Sequence, residues 1–105
     1  MKILISNDDG ITAPGIHALV RAFSQAGHEV AVFAPDGQRS AASHSLTMSM
    51  PLIPREVKME GATVAYAVNG TPVDCVKLAL HNLYPEAEFV VSGINNGYNL
   101  GTDVL

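Results

Sequence analysis

This chain of 105 residues has one cysteine, no tryptophan and few charged residues, which make up 15% of it. A single cysteine excludes an internal disulfide framework and a zinc site built from several thiolates of this chain. Cys75 lies in an apolar helical pattern, so we expect it to be buried as a small hydrophobic residue. No apolar run approaches the ~18 residues of a membrane span, and the apolar start is too short for a signal peptide. The expected location is therefore cytoplasmic.

Basic residues are also scarce, with six Lys and Arg against ten Asp and Glu and a net charge of -4. The six are scattered and form no basic face, so we expect no binding to nucleic-acid polymers. A small phosphorylated ligand still fits this charge balance if a metal ion supplies positive charge. Hydrophobic residues make up 48% of the chain, which is enough for the core of one domain.

Strand and helix patterns alternate along the chain, which predicts the α/β class. Residues 3–6 form a continuous apolar run, typical of a strand buried on both faces of a parallel sheet. A helical pattern begins at Pro14 and ends at Gly27, and a second apolar strand follows at 30–34. These three segments predict one βαβ unit with a right-handed crossover.

The middle of the chain predicts a hairpin-like pair of strands at 46–53 and 63–68, the first confined to a sheet edge by its prolines. Thr71 is the expected N-cap of a second helix. Its predicted buried stripe is Val73, Val76, Leu80 and Leu83. After a last strand at 89–92 the chain stops in a loop, so we expect residues 1–105 to be the N-terminal portion of a single truncated domain.

Two adjacent carboxylates, Asp8 and Asp9, follow the first strand. If they lie within about 4 Å of each other, they repel by roughly 4 kcal/mol at an effective dielectric constant near 20. No Lys or Arg between Lys2 and Arg21 offsets this repulsion, which favours a divalent cation. The chain must leave strand geometry for both to reach one ion, and Gly10 gives it that freedom. The alternative is that both acids only cap the turn before the helix.

Other oxygen donors follow the other predicted strands. Ser40 comes after the second strand and Asn95 after the last one. In open parallel sheets, ligands bind beyond the carboxyl ends of the strands, so these loops are expected to meet in one crevice. Carboxylate, hydroxyl and amide oxygens suit Mg²⁺, Mn²⁺ or Ca²⁺.

The glycine-rich segment around Gly97 can expose backbone N–H groups to an anion. Asn95, Asn96 and Gly97 are therefore candidates for binding phosphate or substrate. His44 lies in the same loop as Ser40 and is a candidate for a minor part in substrate binding. The other histidines lie on helices or beside a turn, where surface or packing roles are expected.

Four segments, taken together and in order, closely resemble the SurE survival-protein family: Ser6 to Ile11; Ala34 to Asp36 with Arg39 to Ala41; Gly70 to Val76; and Ser92 to Asn95 with Gly97, Asn99, Gly101 and Asp103. The resemblance spans the whole chain. It implies a Rossmann-like three-layer sandwich with a mostly parallel sheet and a projecting β-hairpin region, assembled as a homodimer or homotetramer. It also implies a metal-dependent nucleotidase and acid phosphatase.

By matching position, the resemblance implies that one divalent ion is bound by Asp8, Asp9, Ser40 and Asn95. In the family, a Ser-Gly-Thr turn that helps hold phosphate follows the segment ending at Asp103, and here the chain ends at Leu105. The expected reaction is hydrolysis of a nucleoside monophosphate to nucleoside and phosphate. Asp8 is the candidate catalytic residue, either as base for the attacking water or as nucleophile.

Two other interpretations stay open at this point. A phosphorylated signalling receiver also places acidic residues after a first parallel strand and binds Mg²⁺, and Asp36 is then the conceivable phosphoacceptor. A receiver also needs a lysine beyond a later strand end, and this chain has no lysine after Lys77. The third interpretation is that the isolated 105-residue chain has little or no activity of its own.

Overall fold

A computed structural model describes residues 1–37 and 51–93. Its centre is a five-stranded sheet in the order β3-β4-β2-β1-β5. The strands are β1 (Lys2–Ser6), β2 (Glu29–Pro35), β3 (Pro54–Glu56), β4 (Val64–Val68) and β5 (Phe89–Ser92). The helices are α1 (Pro14–Gln25) and α2 (Pro72–Leu78), and α2 continues into a π-helical segment, Ala79–Leu83.

Four strands of the sheet are parallel, because β1 pairs with β2 and β5, and β2 pairs with β4, each in the same direction. The side chains of β1 alternate between the two faces of the sheet. Ile3 and Ile5 pack in one apolar cluster with Ile16 of α1, and Leu4 packs in the other with Cys75 of α2. The predicted α/β class and the burial of the first strand on both faces are confirmed.

Helix α1 matches its predicted limits because both of its ends have local signals. Pro14 takes the first helical turn, where its missing N–H costs no hydrogen bond. At the other end Gly27 has a φ of 95°. Its N–H donates to Ser24 O at 3.0 Å, and the His28 N–H donates to Phe23 O at 3.2 Å. These two bonds form a Schellman motif, which stops the helix and turns the chain toward β2.

Helix α2 begins with the predicted capping box. The Asp74 N–H donates to Thr71 Oγ1 at 3.2 Å, and the Thr71 N–H donates to Asp74 Oδ2 at 3.1 Å. The predicted buried stripe is partly wrong, because Val73 is 61% exposed and Leu83 44% exposed. Cys75 and Ala79 are the fully buried residues of this segment, and the predicted Val76 and Leu80 are partly buried against the same cluster.

An antiparallel partner of β4 is present as predicted, but the described part of its predicted range was wrong. Residues 51–53 are not in a strand, and 46–50 lie outside the described residues. Strand β3 begins at Pro54 and pairs antiparallel with β4. Because proline has no N–H to donate, it is tolerated as the first residue of an edge strand, and β3 starts at the second proline, Pro54.

The amino end of the sheet is closed by polar contacts. The Tyr84 hydroxyl donates to Glu29 Oε2 at 2.7 Å, and the Lys2 N–H donates to Glu88 Oε1 at 2.7 Å. Burial of Tyr84 raises the pKa of its hydroxyl well above the ordinary value of 10.0, and the hydrogen bond to the Glu29 carboxylate adds to the rise.

Within 1–37 and 51–93, no helix is long and apolar enough to cross a membrane.

Candidate functional site

The predicted acidic loop lies at the carboxyl end of the central strand β1. Asp8 is exposed and Asp9 half-buried, whereas Asn7 before them and Gly10 after them are buried. Gly10 has a φ of 101°, a backbone conformation that other residues rarely adopt. The chain therefore does leave strand geometry at the acids and turns at Gly10, as predicted.

The side chain of Asn7 closes this turn. Its Nδ2 donates to Gly10 O at 3.0 Å, and its Oδ1 accepts from the Gly10 N–H at 3.0 Å. One neutral amide thus bonds to both backbone polar groups of Gly10. Asp8 and Asp9 are the two residues between Asn7 and Gly10, the anchor points of this turn. The N-cap position of α1 belongs to Ala13, so neither acid occupies that capping position.

The same loop is bound to the end of the neighbouring strand. The Ile11 N–H donates to Pro35 O at 2.9 Å. A Cβ on Gly10 would lie 3.4 Å from the Gly37 backbone, so the two segments are in close contact. His17 Nε2 lies 2.9 Å from Ile11 O, which gives this histidine the structural role expected of it.

The loop after β5 begins beside the acidic loop. Ser6 and Ser92 are register partners at the ends of β1 and β5, and the Gly93 N–H donates to Ser6 O at 2.9 Å. The Ser6 hydroxyl is buried and has no hydrogen-bond partner within 1–37 and 51–93. The glycine-rich segment therefore leaves the sheet beside Ser6, the residue that precedes Asn7.

The segment after β2 leaves the sheet at the same edge. The Asp36 N–H donates to Val68 O at 2.8 Å, which ties the start of that segment to the end of β4. The predicted convergence of three loop starts at the carboxyl end of the sheet is thus present.

Five predicted site residues lie outside the described residues, and their roles stay predictions: Ser40, His44, Asn95, Asn96 and Gly97.

The described part of the site fits a divalent cation in its chemistry but supplies only part of a ligand set. Asp8 and Asp9 provide carboxylate oxygens, the donors that Mg²⁺ and Mn²⁺ prefer. In the described ranges there is no group of three His, Cys, Asp or Glu side chains that could hold a metal ion. A complete site would need further oxygens, such as those predicted from Ser40 and Asn95.

Two features near this edge were missed from the sequence. Asparagine side chains often bond to nearby backbone groups in turns, and the position of Asn7 just before a turn was such a signal. A second asparagine, Asn69, makes a similar pair of bonds, accepting from the Ile53 N–H at 2.6 Å and donating to Pro51 O at 3.1 Å.

A groove of about 480 Å³ lies elsewhere, along the connection between β3 and β4. Its lining includes Glu56, Lys58, Met59 and Glu60. That connection enters β4 at its amino end, and Asp8 follows the carboxyl end of β1, so the two lie at opposite ends of the parallel strands. The groove is therefore separate from the candidate site.

The parallel Rossmann-like sheet with an acidic turn at its carboxyl end defines an α/β protein of the kind that binds ligands at that edge. The family described as "Survival protein SurE" matches residues 3–105. The chain belongs to this family, and the resemblance read from its motifs is confirmed. Family membership gives no support to the receiver interpretation.

Curated relatives agree with the family match. The chain is 59% identical over 107 residues to a protein of Moorella thermoacetica named 5'-nucleotidase SurE. It is 54% identical over 106 residues to the protein of the same name in Kosmotoga olearia. These alignments cover 100% of this chain but only 41% and 42% of the two relatives.

Proposed function

We propose that this chain is the N-terminal portion of a nucleotidase that hydrolyses nucleoside monophosphates to nucleoside and phosphate with one divalent cation. The observation that carries the proposal is the turn that holds Asp8 and Asp9 at the carboxyl end of β1, in a chain of the SurE family. The names of relatives at 54–59% identity support the choice of substrate class.

The proposed ligands of the cation are Asp8, Asp9, Ser40 and Asn95. All four offer hard oxygen donors, which is the set that Mn²⁺ or Mg²⁺ takes. A bound cation supplies positive charge for the phosphoryl oxygens. That contribution matters here because the chain carries a net charge of -4 and no basic cluster to hold a phosphate.

Asp8 is the proposed catalytic residue, since it is the exposed member of the acidic pair. As a base it would take the proton of a water molecule whose oxygen bonds to phosphorus while the ester P–O bond breaks. As a nucleophile its own carboxylate oxygen would bond to phosphorus while the ester P–O bond breaks, and water would then break the bond between phosphorus and Asp8 and release phosphate. In both routes the departing nucleoside oxygen gains a proton.

Phosphate binding is proposed for Asn95, Asn96 and the backbone of Gly97, with His44 touching the substrate. The segments that lead to these residues start next to the acidic loop, since the Gly93 N–H donates to Ser6 O and the Ile11 N–H donates to Pro35 O. Because the chain spans about 42% of the relatives it matches, we expect weak or no activity from residues 1–105 alone. Assembly as a homodimer or homotetramer and a cytoplasmic location stay predictions.

The test is phosphate release from nucleoside 5'-monophosphates by the full-length protein, with Mn²⁺ or Mg²⁺ and then with a chelator. We expect chelation to abolish turnover and Asp8→Asn to lower kcat/KM by about 100-fold or more, a loss of roughly 2.7 kcal/mol of transition-state stabilisation. Asp36→Asn is the matched control, because it makes the same charge change at another exposed position of the same edge. Undiminished turnover in Asp8→Asn would refute the assignment.

A further inference from the structure

Asn7 is the buried polar side chain closest in sequence to the acidic pair, and it is 0% exposed. A buried carboxamide must find hydrogen-bond partners inside the protein. It finds them three residues ahead, at the N–H and C=O of Gly10, both at 3.0 Å. The bonds form a closed ring whose two middle residues are Asp8 and Asp9.

The far side of this ring is fixed as well. Gly10 O also accepts from the Ala13 N–H at 3.2 Å, next to the start of α1. The Ile11 N–H is bonded to Pro35 O at the end of β2. Asn7 therefore links the end of β1 to a segment that is itself attached to α1 and β2, and the acids lie on the only stretch between these anchors.

We infer that Asn7 is a positioning residue for the cation: its carboxamide holds the Asp8–Asp9 turn in the conformation that lets both carboxylates reach one ion. This inference rests on the proposed function. Like charges brought to one ion repel each other, and a turn free to open would let them separate. A ring closed by a neutral amide resists opening without placing a further charge beside the ion.

Loss of this support has a predictable size. Side chains that hold metal ligands in place from behind typically contribute 10- to 100-fold to metal affinity or activity. We therefore expect Asn7→Ala, in the full-length protein, to weaken Mn²⁺ binding by 10- to 100-fold. The affinity is measured without substrate, by titrating Mn²⁺ and following the free ion's electron paramagnetic resonance signal.

Asn69→Ala is the matched control. It removes the same carboxamide and the same pair of bonds to a loop backbone at the same edge of the sheet, but Asn69 binds Pro51 and Ile53, which carry no proposed ligand. We expect its Mn²⁺ affinity to stay within about twofold of wild type, since it lies outside the support of the acids. Thermal unfolding of each variant establishes that the titrated protein is folded.

The possible outcomes distinguish failure of the positioning role of Asn7 from failure of the proposed function. If wild type binds no Mn²⁺, the proposed function fails. If wild type binds Mn²⁺ and Asn7→Ala binds it equally well, or if Asn69→Ala loses as much affinity, only the positioning role is overturned. Should Asn7→Ala not fold, Asn7→Ser keeps an acceptor for the Gly10 N–H, and a loss of about 3- to 10-fold is expected.

Discussion

The two ends of the parallel sheet use acidic residues in different ways. At the amino end, the carboxylates of Glu29 and Glu88 accept hydrogen bonds from Tyr84 and from the backbone of Lys2. At the carboxyl end, the bonds that close the loop come from the neutral amide of Asn7. Asp8 and Asp9 lie inside that loop rather than at its anchor points.

This difference separates structural acids from candidate functional ones. An acid that accepts a bond from a buried hydroxyl contributes to stability, and its loss is felt in folding. The turn that holds Asp8 and Asp9 is closed by another side chain, so we expect the loss of either acid to be felt mainly in binding. Paired substitutions at the two ends test this distinction.

The largest expected effect comes from exchanging one acid at each end. Asp9→Asn in the full-length protein should lower metal-dependent kcat/KM by about 100-fold or more, since several kcal/mol of charge stabilisation depend on the ion. Glu29→Gln should leave kcat/KM within about twofold while lowering the free energy of unfolding by about 1 kcal/mol. Steady-state kinetics and urea unfolding measure the two quantities. Equal losses of activity in both variants would remove the distinction.

An intermediate effect is expected from two glycines with positive φ. Gly10 and Gly27 have φ values of 101° and 95°, one at each end of the sheet. Alanine at either position should lower the free energy of unfolding by about 1–2 kcal/mol through backbone strain. Only Gly10→Ala should also weaken Mn²⁺ binding, because Gly10 carries both bonds from Asn7 and touches Gly37.

Gly27→Ala is the control for strain alone, since a Cβ there meets nothing within 4 Å. Urea unfolding and Mn²⁺ titration of both variants make the comparison. If Gly27→Ala weakened Mn²⁺ binding as much as Gly10→Ala did, strain anywhere in the fold would account for the effect. The local role of Gly10 would then be wrong.

The smallest effect concerns Tyr84, and it depends on pH. Tyr84→Phe should lower the free energy of unfolding by about 1 kcal/mol near neutral pH and leave Mn²⁺ affinity unchanged. Because the folded-state pKa of Tyr84 is raised above its ordinary 10.0, its contribution is complete below about pH 10 and falls as the pH rises further. The stability gap between wild type and Tyr84→Phe should therefore narrow above about pH 10. A gap that stays constant there would contradict the role of the Tyr84–Glu29 bond.

The sequence predicted those parts of the fold that have strong local signals. Pro14, Gly27 and the Thr71–Asp74 capping box mark helix ends through their own backbone chemistry, and both helices begin where predicted. The buried face of α2 could not be predicted in the same way. Leu83 fits an apolar stripe, but the π-helical segment Ala79–Leu83 changes the rotation of the chain before Leu83, which a regular 3.6-residue period does not anticipate.

The candidate site was predictable where it depends on strand ends. Asp8 and Asp9 follow an apolar run, and a parallel sheet brings such ends to one edge. The Asn7 ring was not predicted, because the turn was attributed to the conformational freedom of Gly10 and not to the side chain of Asn7. The partly exposed state of Asp9 could not be read from the sequence either, since burial depends on tertiary packing.

The two outer strands of the described sheet have unequal capacity for further pairing. On one border, β3 has three residues, begins with proline and carries Arg55 and Glu56, all features that discourage another strand from joining. On the other border, β5 reads Phe-Val-Val-Ser, and its Phe89 is 55% exposed. A further strand would therefore join the sheet more readily beside β5, next to the loop that starts at Gly93.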